Sequence, residues 1–167
     1  MNFTLEQWRR DFIPDVAKYA NNQKIADKLR DAFPFPYTFA DAEWYVNHCI
    51  KKGDTGQLCR AIVINGECVG SIGIFVGSDV YRKSGEFGYW LGEPFWNGGI
   101  MTEAVRRICK EAFEHFDMIR IFAEPFAHNE GSRKVLEKAG FTLEGVMKNS
   151  VCKHDMIYDS CLYALLK

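Results

Sequence analysis

Hydrophobic positions repeat most regularly in the stretch between Met101 and Phe116. Apolar side chains recur there at the i, i+3 and i+4 spacing, whereas Thr, Glu, Arg and Lys fill the other face. This period predicts a long amphipathic helix. Its apolar face consists of Met101, Ala104, Val105, Ile108, Cys109, Ala112, Phe113 and Phe116. The β-rich segments SGEFGYWLG and IRIFAEP flank the helix, so the passage from Glu86 to Glu124 is typical of a crossover between parallel strands.

The N-terminal third of the chain carries a helical period. IPDVAKYANN has a proline near its start, and QKIADKLRDAF puts Ile25, Leu29 and Ala32 on one face. The two prolines of FPFPYT break any helix, so this segment is predicted to be a loop. Thr38 then caps a further helix that ends near Gly53.

Strand-like runs dominate the middle and the end of the chain. QLCRAIVI and ECVGSIGIFV are separated by Asn65-Gly66, which predicts a hairpin because a type I′ turn needs positive φ at both positions. NEGSRKVLEKAGF predicts a short helix that closes at Gly140, and FTLEGVM and IYDSCLYALL predict two last strands. The predicted order is helices, three antiparallel strands, a helix, a strand, a helix and two strands, which describes a mixed α/β sheet.

The composition narrows the class of protein. A length of 167 residues with 47% hydrophobic residues suits one domain with its own core. The formal net charge of -1 argues against a general nucleic-acid binder, which would be basic. No apolar run approaches the roughly 20 residues that span a membrane, and MNFTLEQWRRDF has no signal-peptide core. We therefore expect a cytoplasmic protein without a membrane or nucleic-acid partner.

The cysteines and histidines form no recognised metal or nucleophile motif. There is no CxxC pair and no HExxH spacing. We expect free buried thiols rather than disulfides or a metal site, and surface or loop histidines; one catalytic histidine stays an alternative. The residues concerned are Cys49, Cys59, Cys68, Cys109, Cys152 and Cys161, with His48, His115, His128 and His154.

Two glycines, Gly98 and Gly99, stand where the third strand-like segment meets the long helix. The first N–H groups of a helix lack partners within it, and its dipole favours an anion, so a phosphate can bind where no side chain obstructs it. A plain strand-to-helix turn that needs glycine is the alternative. WNGGIMTE matches neither the Walker pattern GxxxxGK[ST] nor the dinucleotide pattern GxGxxG, which disfavours nucleoside triphosphates and NAD as ligands.

Four segments of the chain together resemble one known family. GEFGYWLGEPFWNGGIMTEAV, AEPFAHNEGSRKVLEKAGFTLEG, NNQKIADKLRDAFPFPYTFADAEWYV and YDSCLYALLK are similar to the GNAT acetyltransferase superfamily, and most to its ribosomal-protein N-terminal acetyltransferase-like branch. The resemblance covers nearly the whole chain. It implies a single GNAT-like domain over residues 1–167, of the α/β (α+β) class. A mixed, mostly antiparallel sheet flanked by helices would contain a splayed parallel strand pair that forms the CoA cleft.

The resemblance also implies acetyl-CoA as the co-substrate, with no metal. Backbone groups near Tyr89–Leu91 would bond the pantetheine arm, and the pyrophosphate would sit on the amides of Trp96 to Met101. The implied cofactor-binding residues are Tyr89, Trp90, Leu91, Trp96, Asn97, Gly98, Gly99, Ile100, Met101, Asn129 and Ser132. The superfamily favours Gln or Arg, two residues, Gly, one residue, then Gly or Ala. Here only the central Gly99 fits, and Met101 is expected to narrow the room beside the phosphate.

The implied reaction is acetyl transfer to an amine, which needs a base because amines are protonated near neutral pH. Glu86 matches an acidic family position and is the predicted base; a solvated strand carboxylate is the alternative reading. Trp90 shares its strand face and would line the acceptor pocket or pack in the core. The family's usual Tyr acid falls at Leu136 here, so Ser132 is the predicted acid, with Tyr158 a weaker candidate.

The resemblance therefore predicts an acetyl-CoA-dependent N-acetyltransferase. No cysteine lies in a nucleophile motif, which favours direct attack in a ternary complex. The acceptor is a primary amine, either a protein N-terminus or a small amine such as a polyamine or an aminoglycoside. The loop from Phe33 to Thr38 would border it, and a homodimer is a family-based expectation. The alternative is a non-catalytic acyl-CoA-binding or regulatory module on the same fold.

Overall fold

The β-rich runs assemble into one seven-stranded sheet in the computed structural model, which describes residues 2–167. The strands are β1 (Thr4–Glu6), β2 (Gln57–Ile64), β3 (Glu67–Val76), β4 (Ser84–Leu91), β5 (Arg120–Ala123), β6 (Thr142–Lys153) and β7 (Met156–Leu166). Their order across the sheet is β1-β2-β3-β4-β5-β7-β6, and every neighbouring pair is antiparallel except β4 and β5.

Five helices cover the sheet. They are α1 (Ile13–Ala20), α2 (Gln23–Ala26), α3 (Phe39–Lys52), α4 (Ile100–His115) and α5 (Glu130–Lys138), with short 3-10 turns at Arg10–Phe12, Asp79–Tyr81 and Glu93–Phe95. The expected mixed, mostly antiparallel sheet flanked by helices is confirmed. Within residues 2–167, none of these helices combines the length and the apolar character needed to cross a bilayer.

Local sequence signals place several element boundaries correctly. Asn65 and Gly66 adopt positive φ of 49° and 84° between the antiparallel strands β2 and β3, as the hairpin signal predicts. Thr38 caps α3 through a reciprocal bond with Asp41, and the helix ends before Gly53. The crossover through α4 joins β4 and β5 as a parallel pair.

Two predicted element lengths are wrong, and one strand is not predicted at all. The helix predicted over residues 23–33 ends at Ala26, and the chain continues in turns with bonds such as Leu29 N–H to the Ala26 carbonyl. Asp27 and Asp31 in this segment pair instead with the turn between β6 and β7, so tertiary contacts override the helical period. The pattern also missed β1, which pairs with β2, and β6 runs six residues beyond its predicted end at residue 147.

Alternate side chains of the strands supply two cores on opposite faces of the sheet. Leu58 and Leu91 point into the core beneath α4 and α5, whereas their chain neighbours Cys59 and Trp90 point into the core beneath α1 and α3. This alternation is the two-residue period of a strand. The helices therefore hold β4 firmly from both faces, which leaves its edge toward β5 as the place where the sheet can open.

Candidate active site

The sheet opens between β4 and β5. Their parallel pairing covers only residues 84–86 of β4 against 120–122 of β5, although β4 continues to Leu91. Beyond that point the chain after β5 follows β7 instead, through the Phe126–Ser160 bridge and the bond from Cys161 N–H to the Pro125 carbonyl. A cleft of about 1150 Å³ lies at this divergence. The splayed parallel pair expected from the sequence is thus present.

The β4 side of the cleft is formed by the predicted residues Tyr89, Trp90 and Leu91. Trp90 is buried in the core beneath α1 and α3, and its ring lies 6.2 Å from that of Phe33, yet it also borders the cleft. Trp90 therefore packs in the core and borders the cleft at the same time. Burial raises the pKa of Tyr89, an effect that the neighbouring Ser132 hydroxyl partly offsets.

The predicted phosphate loop lies at the start of α4, and all six residues from Trp96 to Met101 line the cleft. Gly99 has a left-handed φ of 74° and precedes the first helical residue, and no side chain caps this helix end. An added Cβ on Gly99 would meet no heavy atom within 4 Å, so the conformation rather than crowding favours glycine. The indole N–H of Trp96 donates to the Leu91 carbonyl at 2.7 Å and anchors the loop to β4.

Met101, like Ile100, differs from the four loop residues before it in being buried. Its side chain is buried among the apolar residues of the core beneath α4, while part of it borders the cleft. Helical periodicity explains this position, because Met101 begins the apolar face that continues at Ala104 and Val105.

The start of α5 brings Asn129 and Ser132 to the opposite wall of the cleft. The Asn129 side chain accepts from the Ser132 N–H at 3.2 Å and caps this helix. Leu136, the position of the missing tyrosine, is fully buried beneath the same helix. Tyr158 packs its ring 4.4 Å from the ring of His128.

The end of the cleft that is predicted from the sequence to receive the acceptor holds Glu86, whose carboxylate forms an ion pair with Arg30. The Glu86 side chain is 32% exposed, so it is reachable from the cleft. Sequence reasoning missed Arg30, because it lies 56 residues away and no local motif marks it. Phe33 and Tyr37 of the predicted loop also line this end, with ring centroids 5.0 Å apart.

A cluster of hydrogen-bonded polar side chains also borders the cleft. The Tyr45 hydroxyl lies 2.7 Å from the Ser71 hydroxyl and 3.4 Å from the Cys59 sulfur, and Tyr45 and Ser71 both line the cleft. Burial raises the pKa of Tyr45 well above its ordinary value. Tyr45 therefore stays a neutral hydroxyl that can hydrogen-bond but carries no charge.

The cysteines are free, and five of the six are buried. Cys152 is exposed, so the expectation of buried thiols is wrong for that residue, which lies near the end of the solvent-facing strand β6. Burial raises the pKa of Cys68 and of Cys109 to about 12, which keeps both thiols protonated and unreactive. In the described part of the chain, no group of three or more His, Cys, Asp or Glu residues could hold a metal ion.

Comparison with known proteins assigns this arrangement to a family. A family model described as "Acetyltransferase (GNAT) domain" matches residues 2–142. The chain is 34% identical to the "Putative ribosomal N-acetyltransferase YdaF" of Bacillus subtilis over 114 residues, which is 68% of this chain and 62% of that protein. It is 30% identical to the "Uncharacterized N-acetyltransferase YnaD" of the same organism over 99% of this chain and 91% of that one.

The alignments cover part of the length of some relatives, whereas a similar solved structure is matched over nearly its whole length. The chain spans only 54% to 62% of the length of YdaF and of the two B. subtilis relatives YoaA and YjcK. Among solved structures, the ribosomal L7/L12 alpha-N-protein acetyltransferase RimL in complex with Coenzyme A has a TM-score of 0.88 at 21% identity. That alignment covers 99% of this chain and 94% of RimL, and it supports the fold alone.

Proposed function

The chain belongs to the GNAT acetyltransferase family, and we propose that it is an acetyl-CoA-dependent N-acetyltransferase acting on a primary amine as one domain over residues 1–167. The observation that carries the proposal is the cleft where β4 and β5 diverge. One wall is an unpaired strand edge, one end is an uncapped helix N-terminus, and the other end holds a carboxylate. These are the three parts that binding a CoA thioester and deprotonating an amine require.

The residues at the cleft fit the phosphopantetheine and pyrophosphate groups of CoA. The β4 edge from Tyr89 to Leu91 would offer backbone N–H and carbonyl groups to the amide-rich pantetheine arm, as a further strand would. The amides that begin α4 behind Gly99 would receive the pyrophosphate, because no side chain caps them. Asn129 and Ser132 would flank the thioester end. Acetyl-CoA supplies an activated acyl group whose leaving thiolate is stable enough to depart.

We assign Glu86 the role of base. The acceptor arrives largely protonated, and the carboxylate would take its proton directly or through water. The free amine nitrogen would then attack the thioester carbonyl carbon, an N–C bond would form, and the C–S bond would break. N–H groups along the β4 edge would stabilise the oxyanion. Ser132 would give its hydroxyl proton to the departing thiolate, and the second proton that the attacking nitrogen loses would return to Ser132 through water.

Direct attack is preferred to an acetyl-cysteine intermediate because of where the thiols lie. A nucleophilic cysteine must reach the substrate, whereas none of the described residues that line the cleft is a cysteine. Cys152 is the exposed thiol, and it lies on β6 rather than among the residues that line the cleft.

The acceptor is either a protein N-terminus or a small amine. The relative YdaF is named a putative ribosomal N-acetyltransferase, and the RimL structure is that of a ribosomal L7/L12 alpha-N-protein acetyltransferase. These names favour a protein α-amine as the first acceptor to test. An α-amine also has the lower pKa, about 8 against about 10.4 for a lysine-type amine. It therefore gives up its proton to Glu86 more readily.

A screen of acceptors tests the proposal. Purified protein with acetyl-CoA should release free CoA thiol only when a suitable amine is present, and peptides bearing ribosomal-protein N-termini, polyamines and aminoglycosides would be compared. Glu86→Gln should lower kcat/KM by about 100-fold or more, with the largest deficit below the pKa of the amine. Ser132→Ala should lower kcat more than it changes KM. Tight CoA binding without turnover on any amine would instead support a binding module.

A further inference from the structure

The loop expected to receive the CoA pyrophosphate carries no cationic side chain of its own. Residues 96–101 read Trp, Asn, Gly, Gly, Ile and Met, so backbone amides alone face a group that bears two negative charges. Backbone amides and the helix dipole stabilise an anion, but they do not neutralise it. Positive charge at this end of the cleft must come from residues outside the loop.

Lys28 lies at this position. Its ammonium nitrogen sits 5.1 Å from the centroid of the Trp96 ring, and both side chains line the cleft. The ring itself is held in place, because its N–H donates to the Leu91 carbonyl at 2.7 Å. The aromatic face therefore directs the Lys28 side chain toward the first residue of the loop.

A neighbouring carboxylate does not cancel this charge. Glu93 lies just before the loop, but it pairs with Lys24 and accepts from the Asn22 amide at 2.7 Å. These contacts hold the pKa of Glu93 below its usual range, with Lys24 the main cause. Lys24 and Glu93 thus offset one another, and Lys28 leaves this group of three side chains with a net positive charge.

We propose that Lys28 is a CoA-binding residue, which supplies from the segment after α2 the cation that the loop lacks and contacts the pyrophosphate over the face of Trp96. This inference rests on the proposed function. It assigns the turn segment after α2, which the helical pattern failed to describe, a direct part in the cofactor site. Lys28 acts on binding and has no role in the proton transfers.

Two other lysines compete for this role. Lys134 and Lys138 lie four residues apart on α5 and also line the cleft. The guanidinium of Arg106 donates to the Lys138 carbonyl at 2.5 Å, which keeps the end of α5 near the start of α4. They belong to α5 and not to the segment after α2, and substitution distinguishes them from Lys28.

Calorimetric titration of CoA, dephospho-CoA and pantetheine into the parent protein and its variants tests the proposal. Lys28→Met removes the charge at nearly constant volume, and Lys28→Arg keeps the charge. Lys18→Met is the matched control, because Lys18 also lies over an aromatic ring, 4.5 Å from that of Tyr19, but outside the cleft. All variants are first compared by thermal melting.

Lys28→Met should raise the Kd of CoA and of dephospho-CoA about three- to fivefold, and leave that of pantetheine unchanged, because only the first two carry a pyrophosphate. Lys28→Arg and Lys18→Met should bind as the parent does. The salt dependence of CoA binding should also become shallower in Lys28→Met.

Equal CoA affinity in Lys28→Met and the parent would overturn the assignment while leaving the proposed function intact. An equal loss for pantetheine, or a loss confined to Lys134→Met or Lys138→Met, would overturn it as well. If the parent protein binds no CoA, the proposed function and this inference both fail.

Discussion

Replacement of Gly99 gives the sharpest test of how the loop binds its ligand. Its φ of 74° lies in the left-handed region, whereas an added Cβ would meet no protein atom within 4 Å. A side chain there is thus penalised by the backbone and not by crowding. The adjacent Gly98 is the reverse case: its φ is ordinary, and an added Cβ would make normal contacts at 3.7 Å and 3.9 Å.

The magnitude follows from the conformational energy of the left-handed region. A non-glycine residue there costs about 1–2 kcal/mol, and a β-branched one lies at the upper end or beyond. If the loop keeps its shape, Gly99→Ala should lower the free energy of unfolding by about 1 kcal/mol, and Gly99→Val by about 2 kcal/mol. If the loop relaxes instead, the α4 amides turn away and CoA affinity falls about 5- to 30-fold.

The matched substitution should behave in the opposite way. Gly98→Ala restricts the unfolded chain without straining the folded one, so it should be neutral or stabilise by up to about 1 kcal/mol. Gly99→Asn should stay close to the parent, because asparagine tolerates the left-handed region and Asn97 in the same loop already has a φ of 62°. Urea denaturation measures the free energy of unfolding, and CoA titration measures the CoA affinity. Equal effects of alanine at the two glycines would refute the conformational argument.

Three further predictions concern positions away from the loop. Leu136→Tyr should not restore a proton donor, because the side chain at this position is fully buried. The larger ring should overpack the core and lower the free energy of unfolding by about 1–3 kcal/mol. A variant that is as stable as the parent and releases CoA faster would contradict this prediction. The hydrogen bonds from Arg60 hold the pKa of Asp54 below its ordinary 3.8. The stability that this pair contributes is therefore fully present above the pKa of Asp54 in the unfolded chain, and it is lost as the pH falls through the pKa of Asp54 in the folded protein. Between about pH 5 and about pH 3, the melting temperature of Asp54→Asn should therefore fall less than that of the parent protein. Parallel curves of melting temperature against pH for the two proteins would contradict this linkage. In the folded protein, an aromatic disulfide reagent should modify Cys152 alone at a fast rate, whereas all six thiols should react in denaturant; rapid reaction of a second thiol in the native state would show that a buried site opens.

The accuracy of sequence reasoning followed the range of the interactions involved. The bounds of β2 and β3 and the cap at Thr38 agree with the predictions, because turn geometry and capping depend on residues within a few positions of one another. The helix expected over residues 23–33 was wrong for the opposite reason. Its Asp27 and Asp31 are bound by residues more than 120 positions away, at the tip of the β6–β7 hairpin.

The residues of the candidate site also differ in how far the sequence predicts them. The loop from Trp96 to Met101, with Asn129 and Ser132, is predicted from the family resemblance, and the structure brings these residues to one cleft. Sequence reasoning could not find Arg30 opposite Glu86, or Lys28 over Trp96, because neither pair is close in the chain and neither cation stands in a motif. The full burial of Leu136, at the position of the family's tyrosine, is likewise a property of packing beneath α5.

By itself, the sequence determined the elements whose cause is local. These are the amphipathic period of α4, the hairpin at Asn65-Gly66 and a glycine where the backbone turns left-handed before a helix. Only the tertiary structure decided where the sheet opens, since β5 leaves β4 after three residue pairs to follow β7. It also decided which charges meet in the cleft, because an ion pair depends on distance in space, which the spacing of residues along the chain does not encode.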